Sequence, residues 1–156
     1  MVRDMSIAAA MFGLAGCATL GTRPDPLCQH LREFAASVPA GETRAISLRG
    51  GWGGDSQQTL MTHSCEHGNY PPGKSFCEYL VPNTSWEFGQ YNARRAVMCV
   101  ESSDKKPFIE SLDELQGPAE LRGTLAGAGI EAPMVLLRYE PTEISKLTIS
   151  VAGGER

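Results

Sequence analysis

The sequence predicts an α+β domain: N-terminal helices packed on a small antiparallel sheet, formed mainly by the C-terminal third and stapled by disulfides. Three observations lead there. Leu27, Leu31, Phe34 and Val38 recur at helical spacing early in the chain. In the last third the period drops to two, with Leu147, Ile149 and Val151 alternating against Lys146, Thr148 and Ser150. Helical segments come first and strands last, the order of an α+β domain.

Each element follows from local chemistry. Asp25-Pro26 is a helix start, a capping carboxylate followed by Pro at the first helical position. Pro39-Ala40-Gly41 stops that helix, and residues 44–49, with Ile46 and Leu48 on one face, read as a strand. A glycine cluster, Gly50-Gly51-Trp52-Gly53-Gly54, follows. Asp55 or Ser56 is placed to cap a short helix through His67, terminated by Gly68. Residues 69–75, with two prolines and a glycine, read as loop. Thr84-Ser85-Trp86-Glu87 is a capping box opening a helix to about Val100. Residues 101–119 are polar and irregular, with room for one helical turn. Strands are expected at 121–125, 134–139 and 144–151, the last two joined by a turn at 140–143.

The chain has 156 residues, 42% hydrophobic and 21% charged, with a formal net charge of −4. Such a composition argues for one folded domain and against wholesale disorder. A mildly acidic chain lacks the basic patch of a nucleic-acid binder. No apolar run reaches the roughly 18 residues that a spanning helix requires.

The N-terminus carries an address. Arg3 precedes a short apolar run from Ile7 to Leu14, then small residues and Cys17, the order of a secretory signal. Leu14-Ala15-Gly16-Cys17 resembles the lipobox of bacterial lipoproteins. That resemblance implies a diacylglyceryl thioether on Cys17, removal of residues 1–16 and acylation of the new amino group. Several acyl chains on one residue give stable anchoring where one alone binds marginally. Residue 18 is Ala, not the Asp that commonly marks inner-membrane retention in such lipoproteins, so the resemblance points to the outer membrane, facing the periplasm. The expected organisation is signal at 1–16, lipidated tether at 17–26 and a single envelope-facing domain at 27–156.

Setting Cys17 aside leaves Cys28, Cys65, Cys77 and Cys99, an even number in an oxidising compartment. Of three connectivities, Cys65–Cys77, closing a turn-rich loop, and Cys28–Cys99, joining two helices, are favoured. A zinc cage built on these cysteines lacks any paired C-x-x-C spacing.

Two motifs match in letter. Gly68-Asn69-Tyr70-Pro71-Pro72-Gly73-Lys74-Ser75 satisfies the phosphate-loop pattern. Yet Pro71 and Pro72 lack the N–H groups that cradle phosphate, and no hydrophobic strand precedes them, so no nucleotide is expected. His63-Ser64-Cys65-Glu66-His67 matches the inverted zincin pattern H-x-x-E-H. On a helix, His63 and His67 would stand one turn apart to hold zinc, with Glu66 as general base. The match covers five residues, and exposed histidines near a helix end satisfy the same letters. Trp52, flanked by glycines, is either a partner contact or a side chain folded onto the core. Arg94-Arg95 and Lys105-Lys106 read as solvated surface.

These observations point to a lipid-anchored envelope protein whose domain binds a protein partner without catalysis, in an accessory, inhibitor or immunity-like role. The alternative is a small zinc-dependent hydrolase using His63, Glu66 and His67. No cofactor is expected on the first reading, and zinc on the second.

Overall fold

The computed structural model describes residues 25–154, apart from 56–57, 85–87, 115–116, 128, 130–131 and 143; for 52–55 and 58–61 it describes the backbone alone. The signal, Cys17, the tether up to residue 24 and most of the 84–87 capping sequence lie outside the described residues.

Helix α1 (Pro26–Ser37) starts as the sequence predicts. The Asp25 carboxylate accepts the Leu27 N–H at 2.8 Å, and Pro26 sits in the first turn. Its stripe of Leu27, Leu31 and Phe34, with Val38 just beyond, is buried.

Strands β1 (Thr43–Asp55) and β2 (Gln58–Glu66) form an antiparallel hairpin running in unbroken register from Ser47 opposite Glu66 to Asp55 opposite Gln58. This corrects two expectations. The glycine cluster continues the first strand, and the segment expected as a helix to His67 is its partner. An isolated short helix is marginal, because nucleation costs more than a few turns return. The hairpin instead pairs its backbone along nine residues. Gly50 makes room for it: a Cβ there would lie 2.5 Å from that of Phe88. His63, opposite Gly50, lays its ring against Phe88 with centroids 4.5 Å apart.

Helix α2 (Pro71–Leu80) begins inside the segment expected as loop. Its two prolines occupy the first turn, where a helix needs no N–H donor and the fixed φ of Pro suits it. Asn69 and Gly68, both with positive φ, turn the chain into it. Next come α3 (Phe88–Met98), the two-residue strand β3 (Val100–Glu101) and α4 (Lys105–Glu114). The polar 101–119 segment therefore holds a ten-residue helix rather than a single turn. Phe108 and Leu112, one turn apart, suffice to bury its inner edge. Strands β4 (Ala119–Leu125), β5 (Met134–Glu140) and β6 (Ile144–Ala152) lie where the alternation placed them.

The six strands form one sheet in the order β2-β1-β6-β5-β4-β3, every neighbouring pair antiparallel. The mixed α+β class predicted from the sequence is the class observed. The core lies between one sheet face and the helices: Ile46, Leu48, Val135, Leu137, Leu147 and Ile149 meet Leu31, Phe34, Phe76 and Val97, all essentially inaccessible. Each such side chain contributes about 1.5–3 kcal/mol on removal from water.

Both favoured disulfides are formed. Cys28–Cys99 ties α1 to the residue after α3, and Cys65–Cys77 ties β2 to α2.

Candidate functional site

Strand alternation sends every second residue to the face that carries no helix. Register then fixes two rows across that face. In one, Glu66, Ser47, Thr148, Arg138 and Glu120 stand side by side on β2, β1, β6, β5 and β4. In the next, Ser64, Arg49, Lys146 and Glu140 follow from β2 to β5. The result is a polar floor of alternating charge and hydroxyls.

Arg49 and Lys146 are direct cross-strand partners, a like-charge pairing that destabilises by a few tenths of a kcal/mol to about 1 kcal/mol on a sheet. Two glutamates offset it. Arg49 Nε lies 3.7 Å from Glu66, and Lys146 Nζ 3.5 Å from Glu140, which also faces Arg138 Nε at 3.8 Å. These contacts are long and exposed, worth about 0–1 kcal/mol each. The groups are held in place without being saturated. The Ser47 and Thr148 hydroxyls meet at 3.2 Å between them.

Arg49, Ser64, Glu66, Glu140 and Lys146 line a cleft of about 550 Å³, bounded by Ile144 and Thr142 beside the β5–β6 turn. Toward the other end of the same face lies a smaller groove of about 220 Å³, lined by Met134, Leu136 and Arg122. Met134 and Ile144, each 47% exposed, supply apolar contact at the two ends. This face offers what a protein partner uses: charge of both signs for orientation and a few apolar anchors.

The helix side is built differently. Asp25, the N-cap of α1, receives a two-pronged contact from Arg95 on α3, Nε and Nη2 each 2.7 Å from a carboxylate oxygen. Arg95 also donates to Tyr79 Oη at 2.8 Å and to the Asn83 carbonyl at 2.9 Å, with its guanidinium over the Tyr91 ring. The hydrogen bond from Arg95 holds the Asp25 carboxyl below the usual carboxylate range, with the Leu27 N–H acting in the same direction against desolvation. The same partner raises the Arg95 pKa further above its already high value. Arg95 is therefore not the solvated surface residue its sequence context implied. Arg94 pairs with Asp113 on α4, and Lys106 sits 3.8 Å from Glu110.

The other residues singled out on the sequence are dispersed. On strand β2, His63 and Glu66 project from opposite faces, His63 against Phe88 and Glu66 toward Arg49. His67 follows β2, its Nδ1 buried without a hydrogen-bond partner among the described residues. The one-turn spacing that the zinc motif requires is therefore not formed. Among the described residues no group of three or more His, Cys, Asp or Glu side chains is gathered to hold a metal ion. Trp52 lies on β1 opposite Met61, and its side chain is outside the description. Lys74 and Ser75 of the phosphate-loop match stand in the first turns of α2, Lys74 paired with Glu78 at 3.7 Å.

Sequence reasoning saw Lys146, Thr148 and Ser150 as the outer side of one strand but did not join them to Arg49, Arg138 or Glu140. The joining signal is register across β1, β6 and β5, which alternation within a single strand does not carry. No family model, no curated protein and no solved structure matches the chain.

Proposed function

We propose that this chain is a bacterial envelope lipoprotein, anchored through Cys17 to the outer membrane and facing the periplasm, whose domain binds an envelope protein without catalysing a reaction. The observation that carries the binding reading is the uncovered sheet face, with its rows of unsaturated charge and its cleft floored by Arg49 and Lys146. A cleft whose walls are exposed side chains on an open sheet does not exclude water, which suits recognition better than chemistry.

The anchoring reading draws support from two features. Both disulfides suit an oxidising compartment. The described chain starts on the helix side, where Asp25 and Cys28 are fastened to α3, so a tether leaves from the side opposite the cleft. Fully extended, the eight residue steps from Cys17 to Asp25 reach about 26–29 Å.

The test is affinity recovery of the acylated protein from envelope extracts. The wild type should bring down a stoichiometric partner, and an Arg49→Glu/Lys146→Glu variant should bring down at least tenfold less while keeping its lipid and both disulfides. No partner under mild crosslinking, or equal recovery by the variant, overturns the binding reading. Cys17→Ser should abolish acylation; an acylated Cys17→Ser protein overturns the anchoring reading.

A further inference from the structure

The larger cleft on the open face has an uneven charge balance. Glu140 is shared between Lys146 Nζ at 3.5 Å and Arg138 Nε at 3.8 Å, while Glu66 meets Arg49 Nε at 3.7 Å. Glu120, across from Arg138 in register, is held instead by Arg122 at 3.1 Å. Three cations, Arg49, Lys146 and Arg138, therefore face two carboxylates. Arg49 and Lys146 are also direct cross-strand partners, so the surplus positive charge is concentrated where like charges already oppose each other.

The hydroxyls of the cleft single out the same spot. Thr62 donates to the Gly51 carbonyl at 3.4 Å and Thr142 to the Ile144 carbonyl at 2.6 Å. The third hydroxyl lining the cleft, Ser64, is the cross-strand partner of Arg49. Ser64, Arg49 and Lys146 thus stand in one row on β2, β1 and β6, a line of donors with neighbouring strands about 4.8 Å apart. Ile144, 47% exposed on the rim, offers apolar contact beside that row.

We propose that this cleft takes an acidic segment of the partner protein, the carboxylate of an aspartate or glutamate seated between Arg49 and Lys146 with the Ser64 hydroxyl as a further donor. The assignment rests on the binding reading above and names the chemistry that the partner presents. A carboxylate matches the planar fork of Arg49, which can hold both oxygens at once. Its single charge matches a surplus of one, whereas a phosphate monoester, at about −1.5 to −2, exceeds it. The chain as a whole carries −4 and opposes an acidic segment, so this local surplus sets where one can land. Glu66 and Glu140 then act as placeholders that an incoming carboxylate displaces.

The test is an amide-signal NMR titration of the full chain in non-ionic detergent with the peptide acetyl-Ser-Glu-Glu-Ser-amide. The peptide should shift the Ser64, Arg49 and Lys146 signals with a millimolar Kd. Its Ser-Gln-Gln-Ser counterpart and inorganic phosphate should each bind at least about fivefold more weakly, and Arg49→Gln/Lys146→Gln should abolish the response with both disulfides intact. Glu66→Gln, which removes a competitor for Arg49, should bind the acidic peptide about twofold more tightly or better. Silence of those three signals overturns the proposal, as does equal binding of the Gln peptide, tighter binding of phosphate or weaker binding by Glu66→Gln. The titration needs no envelope partner. A recovered partner with a silent peptide removes the carboxylate alone, and a responding peptide with no recovered partner removes the protein-binding reading alone.

Discussion

The two sides of the sheet are stabilised by different means. On the helix side, the junction around Arg95 is saturated: Arg95 alone contacts Asp25, Tyr79, Asn83 and Asn92, and Cys28–Cys99 crosses the same junction. On the open side, Arg49, Lys146 and Arg138 reach their glutamates only at 3.5–3.8 Å, in water. Short, shared and partly buried contacts hold a structure, whereas long exposed ones contribute little to stability and remain free to exchange partners. Substitutions on the helix side should therefore cost stability, and those on the open side should cost binding.

The largest expected effect is loss of Cys28–Cys99. Its span of 71 residues removes the most chain entropy from the unfolded state, and replacing both cysteines by Ala should cost about 4 kcal/mol, read as a lowered denaturation midpoint. Removing Cys65–Cys77, which spans 12 residues, should cost about 3 kcal/mol. A larger loss for the shorter loop would reverse that order and show that fastening β2 to α2 matters more than fastening α1 to α3.

Asp25→Ala comes next, at about 2–3 kcal/mol, because it removes a helix cap and strips Arg95 of its carboxylate partner. The same pair predicts a pH dependence. Asp25 titrates lower in the folded chain than unfolded, so its contribution is complete above its ordinary value of 3.8 and is lost as pH falls through the depressed one. Asp25→Asn should flatten the acid limb of the stability curve; an acid limb identical to wild type would remove the pair from the account.

Gly50→Ala should cost about 1–3 kcal/mol by driving a methyl into Phe88, which sits 2.5 Å from the new carbon, and should disturb the β1–β2 hairpin. Arg49→Glu/Lys146→Glu should change stability by less than about 0.5–1 kcal/mol, the smallest effect of the set, while carrying the largest loss of partner binding.

Legibility in the sequence follows the range of the interactions. The α1 cap, the stripe through Phe34 and the alternation in β5 and β6 are local, and they read correctly. Four cysteines besides Cys17 imply two disulfides, and the turn-rich segment between Cys65 and Cys77 favours the pairing observed. Residues 58–66 did not read correctly, because the strand is set by partners outside the segment itself: β1 beside it, Phe88 against His63, Cys77 against Cys65. Helix α4 was hidden for the opposite reason, since two buried residues, Phe108 and Leu112, suffice for a helix lying at the edge of the core. The open face itself was half legible. One strand's alternation shows which residues point outward, but only the register of three strands, β1, β6 and β5, brings Arg49, Lys146 and Glu140 together.

The most direct test of the division between the two sides is photocrosslinking in the living cell, with a photoreactive side chain placed in the full chain at Thr148 on the open face or at Lys106 on α4. The account predicts a discrete crosslinked protein from position 148 and none from position 106. A crosslink from position 106 alone would contradict it, placing recognition on the helix layer and leaving the sheet face without a partner.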